Sequence, residues 1–239
     1  MEKEYELTFI IPLYGENCFT TSAKMAMSLA LLKTTKKVRF LFFHDDTVPT
    51  EAIDQILQLF KLHRQPTVEV VTCFVNNPRS GYKRNRGIDI CTSDSKLIWF
   101  IDQDDMLLFE DLDPVINTAL EMLIDGNKPL IKVPFQSLDI TFATTNINTV
   151  ITMPWQYIFN VDLVKDYKFD ETTEMGSDVP FVIKIIEDYL KDEKTDEIPS
   201  FVSPMYFYNY LYWDSESYRY FIIEQHQTTD HLVEEMRKG

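Results

Sequence analysis

The sequence predicts an α/β protein built on a mostly parallel sheet with helices on both faces. Apolar segments of strand length recur through the first half without polar alternation, and amphipathic segments of helical period separate them. Most of the apolar segments run into polar residues. Because ligands of such sheets bind beyond the carboxyl ends of the strands, we expect the functional residues to gather at that edge.

The helices and strands of the first half are predicted from the hydrophobic periodicity and from the residues that begin or end each element. Apolar, β-branched runs predict strands, and apolar residues on one face predict helices. Thr50 is expected to cap the second helix, and Pro114 suits the first turn of the fourth. The predicted order is a strand at 7–14, a helix with Met25, Leu29 and Leu32 on one face, a strand at 37–46, a helix at 51–63, a strand at 67–75, a helix at 81–93, a strand at 95–105, a helix from Pro114 to Gly126 and a strand at 129–136.

The second half is less regular. Short strands and a helix are expected at 144–164, a helix at 177–190, a solvated loop at 191–197, an aromatic, strand-like segment at 201–213 and a final helix at 216–237. The charged loop does not mark a boundary, since the aromatic segment still needs a partner sheet. We therefore predict a single domain over residues 1–239.

Composition excludes several classes of partner. The chain has 239 residues and a formal net charge of -15, which disfavours non-specific binding to nucleic acid or anionic lipid. No secretory signal follows Met1, and no apolar run approaches the roughly 20 residues that a membrane helix needs. We expect a cytoplasmic protein without an integral membrane segment; peripheral membrane association and the oligomeric state are left open.

An acidic cluster, Asp102, Gln103, Asp104 and Asp105, follows the fourth predicted strand. Hard carboxylate oxygens at the mouth of a pocket suit Mg²⁺ or Mn²⁺, especially when phosphate supplies further ligands. The alternative is a turn or helix cap. The position at the end of a buried strand favours the metal.

Asp45 and Asp46 follow the second predicted strand. Acids at this position accept hydrogen bonds from a ribose or a base. The alternative is a turn held by the side chain of an Asp, and these two residues alone favour the turn.

The segment SGYKRNRGID brings positive charge to an acidic protein through Lys83, Arg84 and Arg86. An arginine here can neutralise phosphate or hold an acidic side chain. A solvated basic helix face explains the same residues equally well. Asp178 lies just before a predicted helix, where an acid is either a cap or a general base.

The order of these motifs resembles the family 2 glycosyltransferases, which have the GT-A nucleotide-sugar fold. The resemblance rests on FIIPLYGEN, FHDDT, SGYKRNRGI, WFIDQDD, WQYIFNVDLV, GSDVPF and YFYNYLYWDSES, and covers Leu7 to about Ser217. It implies a nucleotide-sugar-binding half at 1–135 and a smaller, mixed acceptor-side half at 136–239. It also implies a UDP-sugar donor and a glycan or other hydroxyl acceptor.

The resemblance further implies a role for each matching residue. Pro12, Tyr14 and Glu16 would line the nucleotide pocket, with Tyr14 near the uracil ring. Asp46, with Asp45 beside it, would bind the base. The nucleotide-sugar set is completed by Arg84, Asn85, Asp102 and Gln103. Asp104 would hold Mn²⁺ or Mg²⁺, with Asp102 and Asp105 beside it.

Asp178 matches the family's catalytic base, and one base with one metal-holding acid is what an inverting transfer requires. The chain departs from the family pattern at Gly15, Thr47, Lys83, Ser177 and Asn209. A nucleotidyltransferase, a non-catalytic protein that binds nucleotide-sugars or a partner, and a metal-dependent phosphohydrolase are the alternatives. The first is disfavoured because LYGENCFTT lacks basic residues.

Overall fold

The structure is a computed structural model that describes residues 3–138, 143–144, 153–173, 178–193, 198–201 and 206–208. All of them lie in one compact unit of the chain, Met1–Asn209. The predicted helix at 216–237, Ser177 and most of the aromatic segment lie outside the described residues. The division into halves at residue 135 stays a prediction.

The described strands are β1 (Tyr5–Pro12), β2 (Val38–His44), β3 (Val68–Phe74), β4 (Ser95–Phe100), β5 (Met106–Leu107), β6 (Leu130–Lys132), β7 (Phe135–Leu138), β8 (Ala143–Thr144), β9 (Tyr157–Asn160) and β10 (Tyr206–Tyr208). They form a six-stranded sheet in the order β3-β2-β1-β4-β9-β6 and a four-stranded sheet in the order β5-β10-β7-β8.

The described helices separate these strands in the predicted alternation. They are α1 (Cys18–Ala30), α2 (Thr50–Leu62), α3 (Ser80–Asp94), α4 (Asp113–Ala119), α5 (Val161–Val164) and α6 (Asp178–Glu193). A π-helical turn, Leu120–Asp125, continues α4, and Gly126 follows it at the predicted stop. No described helix has both the length and the apolar character needed to cross a membrane.

The larger sheet is mostly parallel, as predicted. Strands β1 to β4 run in one direction, with Leu7 paired to Val38 on one side and to Leu97 on the other. Only β9 reverses, and it pairs antiparallel with both β4 and β6. The carboxyl ends of β1 to β4 therefore meet at one edge.

Aromatic side chains fill both faces of this sheet. On one face Phe9 stacks between Phe40, at 4.8 Å, and Trp99, at 5.5 Å between ring centroids. On the other, Phe100 contacts Phe169 and Phe181 edge to face. Both faces are buried, which explains why the strands read as continuous apolar runs.

Two local expectations were wrong. Thr50 does not cap α2, because the helix already includes Thr50, and Pro49 occupies the cap position without a side-chain hydrogen bond. The strand predicted at 129–136 is split between the two sheets, as β6 and β7. Val133, between them, still donates its N–H to the carbonyl of Gln156 in the register of the β6–β9 pair, and Pro134 separates it from β7.

Candidate active site

The polar residues gather at the carboxyl edge of the parallel strands, as predicted. The loop after β1 carries Tyr14, the loop after β2 carries Asp45, and the loop after β4 carries Asp102. Helix α3 packs closely on the face of the sheet that contains Ile10, because Gly87 leaves no side chain between them. A Cβ atom at Gly87 would lie 2.6 Å from the buried Ile10 side chain.

Arg84 links two of the predicted acids. Its Nη2 donates to Asp102 Oδ1 at 2.5 Å, and its Nη1 donates to Asp178 Oδ1. The arginine side chain is 3% exposed, whereas Asp102 is 25% and Asp178 17% exposed. Burial alone would lower the pKa of Arg84, but Asp178 and Asp102 raise it, so the guanidinium stays charged. The structure thus brings Asp102 and Asp178 to opposite sides of one buried cation.

Asp178 owes its position to the first turns of α6. Phe181, one turn further along α6, stacks on Phe169 with ring centroids 3.9 Å apart. Both rings belong to the core cluster that also contains Phe100 of β4. The helix start is therefore fixed against the sheet beside the acidic cluster.

Lys83 is fully buried and does not lie on a solvated face. Its ammonium donates to Asp45 Oδ2 and to the carbonyl of Leu13, both at 2.6 Å, and lies 4.1 Å from the centroid of the Tyr14 ring. Burial lowers the pKa of Lys83, and the contact with Asp45 opposes this effect. The solvated-face alternative was wrong for Lys83 and Arg84, although Arg86 is exposed.

Asp45 is part of a turn, as the alternative for the Asp45–Asp46 pair expected. Its Oδ1 accepts the N–H of Thr47 at 2.8 Å, and the hydroxyl of Thr47 accepts the N–H of Gly15 at 3.2 Å. Gly15 has φ +73°, a conformation that L side chains rarely adopt. Burial would raise the pKa of Asp45, but the bonds from Lys83 and Thr47 lower it overall.

Asn85 holds the segment that precedes Asp178 along the chain. Its side-chain amide donates to the carbonyl of Phe169 at 3.0 Å and to Glu171 Oε1 at 2.7 Å, and its oxygen accepts the N–H of Phe169 at 2.9 Å. Gly81 permits this approach, since a Cβ there would lie 2.4 Å from the carbonyl oxygen of Asp170. Asn85 thus stabilises the protein scaffold around the site.

Gln103 connects the loops after β1 and β4. Its side-chain oxygen accepts the N–H of Tyr14 at 2.8 Å. Pro12 is buried, Tyr14 is partly exposed, and Glu16 and Asp46 are exposed. Pro12, Tyr14, Glu16 and Asp46 therefore lie along the predicted edge, and their contacts with a nucleotide stay predictions.

The acidic cluster has the electrostatic character that a cation would relieve. Burial, and then the charge of Asp102, raises the pKa of Asp104 to about 7. No salt bridge joins Asp104 to a cation of the described residues. Asp105 is fully buried next to it. The described side chains contain no ready-made group of three or more His, Cys, Asp or Glu around one point, so a metal here would need ligands from the donor as well.

Sequence reasoning missed the contacts that build the pocket wall. Lys83, Gln103 and Thr47 bond to the backbone or ring of the loop after β1, and their partners are 70, 89 and 32 positions away. Hydrophobic periodicity predicts local helices and strands, and it does not predict which residues of two distant loops will contact each other. The one available signal was Lys83 itself, a lysine where the family pattern has alanine.

Comparison with solved structures shows which fold this is. The structure of residues 1-349 of S. aureus TarS in complex with UDP is similar at a TM-score of 0.63 and 17% identity, with 87% of this chain and 60% of that chain covered. The mannosyltransferase PcManGT from Pyrobaculum calidifontis, in complex with GDP-Man and Mn²⁺, is similar at a TM-score of 0.64 and 12% identity, covering 99% and 65%. The chain spans less than two thirds of either structure.

Comparison with protein families gives a match over residues 8–190, to "Glycosyl transferase family 2". A search of curated proteins finds no match. The family match covers well over half of the chain, including the loops after β1 to β4, α3 and Asp178, and the similar structures share its architecture. The chain therefore belongs to glycosyl transferase family 2 and has the GT-A fold.

Proposed function

We propose that this protein is an inverting, metal-dependent glycosyltransferase that moves a sugar from a UDP-sugar to a hydroxyl of a glycan or similar acceptor. The observation that carries the proposal is the pair of hydrogen bonds from Arg84 to Asp102 and Asp178. They bring the acid predicted to face the donor next to the acid predicted to be the base. We also propose a cytoplasmic location.

Asp178 is the general base of the proposed reaction. Its carboxylate takes the proton from the acceptor hydroxyl as that oxygen attacks the anomeric carbon. The bond from the anomeric carbon to the diphosphate breaks at the same time, and the nucleoside diphosphate leaves with the bonding electrons. One attack from the opposite side inverts the anomeric centre.

Asp104 is proposed to hold Mn²⁺ or Mg²⁺, with Asp102 and Asp105 beside it in the sequence and with further ligands from outside these side chains. The fit rests on hard carboxylate oxygens and on the raised pKa of Asp104, since a neighbouring cation would favour its charged form. When bound, the metal supplies charge that offsets the growing charge of the leaving diphosphate. The chain's own part is to keep these acids beside the pocket.

The donor class is supported by what similar structures contain. S. aureus TarS has been solved with UDP and with UDP-GlcNAc, and the Pyrobaculum calidifontis mannosyltransferase with GDP-Man. A nucleotide-sugar donor is common to them. We propose UDP as the nucleotide because of the resemblance of the loop after β1, which contains Tyr14.

The test is isothermal titration of UDP and GDP into the protein with and without Mn²⁺. We expect UDP to bind, and to bind more tightly with Mn²⁺. If no nucleoside diphosphate binds, the proposal fails. If UDP binds but no UDP-sugar is turned over with any hydroxyl acceptor, a non-catalytic binding protein of this fold is favoured.

A further inference from the structure

The buried ammonium of Lys83 makes two hydrogen bonds and one ring contact inside the protein. It donates to Asp45 Oδ2 and to the carbonyl of Leu13, both at 2.6 Å, and it lies 4.1 Å from the centroid of the Tyr14 ring. The side chains of Lys83 and Asp45 are 0% exposed. In this structure, therefore, neither the Lys83 ammonium nor the Asp45 carboxylate is accessible to a bound ligand.

The partners of Lys83 all belong to loops at the carboxyl edge of the sheet. Leu13 and Tyr14 follow β1, and Asp45 follows β2. The same stretch after β1 is bonded twice more, from Tyr14 N–H to Gln103 and from Gly15 N–H to Thr47. Lys83 thus occupies the centre of a bonded wall made from the loops after β1, β2 and β4.

We propose that Lys83 is a positioning residue for the nucleobase: it fixes the plane of the Tyr14 ring and holds the loop after β1 in its binding conformation. In this reading Asp45 serves the wall and does not touch the base, while the exposed Asp46 stays available to the nucleotide. The inference rests on the proposed function, because it needs a nucleotide on the Tyr14 side of the site.

The physical basis is preorganisation. A loop that must be ordered on binding loses affinity, and a loop already held by buried bonds does not. The cation beneath the ring adds a favourable contact of its own, since an ammonium within about 6 Å of an aromatic centroid is attracted to the ring face. Removing the cation should therefore loosen the wall without touching Asp102, Asp104 or Asp178.

The variant that tests this is Lys83→Met/Asp45→Asn, which removes both buried charges together and leaves no unpaired ion. The matched control is Arg39→Met/Asp94→Asn. Arg39 is also buried and bonds Asp94 through both nitrogens, at 2.7 and 2.8 Å, but it lies at the amino end of β2. Both double variants lose an ion pair made by a buried cation, and only Lys83→Met/Asp45→Asn loses it at the proposed wall.

Hydrogen exchange of residues 13–16 is measured without ligand, and UDP binding is measured by titration with Mn²⁺. We expect Lys83→Met/Asp45→Asn to exchange faster at 13–16 and to bind UDP at least about tenfold more weakly, a factor equal to about 1.4 kcal/mol. The Arg39→Met/Asp94→Asn control should change neither by more than about twofold. If the double variant does not fold, Lys83→Gln/Asp45→Asn, which also removes both charges but keeps a hydrogen-bond donor at position 83, should shift both measurements in the same direction by a smaller factor.

Unchanged exchange or unchanged UDP binding in the Lys83 variant would overturn this inference, and so would an equal loss of UDP binding in the Arg39 control. No binding of UDP by the unsubstituted protein would overturn the proposed function, and this inference with it. The two failures are distinguishable, because failure of the Lys83 inference is seen by comparing the variants, whereas failure of the proposed function is seen in the unsubstituted protein.

Discussion

Arg84 and Asp178, 94 positions apart in the sequence, are joined by a charge-assisted hydrogen bond at the carboxyl edge of the sheet. Arg84 comes from α3 and Asp178 from the start of α6. Because the same guanidinium also bonds Asp102, the acids on either side of the proposed reaction share one counter-ion.

Substitution of Arg84 should destabilise the protein. Arg84→Met leaves Asp102 and Asp178 without their shared cation, and both acids are partly buried. We expect a loss of about 2–4 kcal/mol in the free energy of unfolding, measured by urea denaturation. The control is Arg86→Met on the same helix, whose exposed pair with Asp89 should contribute less than about 0.5 kcal/mol. Equal losses in both variants would contradict the prediction.

Asp178→Asn should abolish turnover and leave UDP binding within a few-fold of the unsubstituted protein. The amide cannot accept the proton of the acceptor hydroxyl, and loss of a general base typically costs about 10²–10⁴-fold in rate. The measurement is UDP release from a UDP-sugar with an acceptor, beside a titration of UDP. Glu187→Gln, on the exposed side of the same helix, is the control and should keep full turnover. Full turnover in Asp178→Asn would remove it from the role of base.

Asp104 should lower the stability of the ligand-free protein as the pH rises towards neutrality. Burial and the charge of Asp102 raise the pKa of this carboxyl to about 7 in the folded protein, above its ordinary value of 3.8. Between these values the folded state holds a proton that the unfolded state has lost, so the free energy of unfolding decreases with rising pH. Asp104→Asn should remove this part of the pH dependence, as followed by thermal denaturation from pH 4 to pH 8.

The control for that series is Leu108→Ala, at an exposed position four residues after Asp104. Because a leucine side chain binds no proton, this substitution should leave the slope of stability against pH as it is in the unsubstituted protein. An identical slope in Asp104→Asn and the unsubstituted protein would contradict the assignment of the raised pKa to Asp104.

Mn²⁺ and UDP should stabilise the protein together by more than the sum of their separate effects. The charge of the metal favours ionised Asp104, and the diphosphate supplies further ligands for the metal. The check is the shift in melting temperature with each ligand alone and with both. Asp104→Asn should reduce the combined shift to additivity. Simple additivity in the unsubstituted protein would count against the metal site.

Gly81→Ala should destabilise the protein, although alanine is normally the better helix former by about 1 kcal/mol. The new Cβ atom would lie 2.4 Å from the backbone carbonyl oxygen of Asp170, so α3 or the segment at 169–171 has to move. We expect a net loss of about 1–3 kcal/mol by urea denaturation. Arg86→Ala, at an exposed position of α3, should change stability by less than about 0.5 kcal/mol. A gain in Gly81→Ala would contradict the close approach.

The sequence predicted the alternation of elements and the edge at which the polar residues gather. Both follow from local patterns, since apolar runs such as the one before Asp102 specify buried parallel strands.

The sequence could not predict which acids stay accessible to solvent. Asp45 and Asp46 are adjacent and chemically alike, yet one is buried by a lysine 38 positions away and the other is exposed.

The antiparallel direction of β9 was not predicted, for a related reason. Its sequence, Tyr157–Asn160, is as apolar as the parallel strands, and direction within a sheet depends on the path of the connecting chain. The split of β6 from β7 depends likewise on distant partners, since β6 pairs with β9, whereas β7 pairs with β8 and β10. Local pattern contains neither piece of information.

Three consecutive residues of α3, Lys83, Arg84 and Asn85, hold the loop after β1, the acid pair and the segment at 169–171. These three residues therefore connect much of the site to one short segment of α3, while Gln103 and Thr47 hold the loop after β1 as well. Local unfolding of α3 would release the contacts of Lys83, Arg84 and Asn85 together, so the opening free energy of its amides limits how long the fully assembled site persists. A natural substitution that keeps the acids of the site but weakens this part of α3 would therefore reduce the activity of the protein while most of the sheet stayed folded.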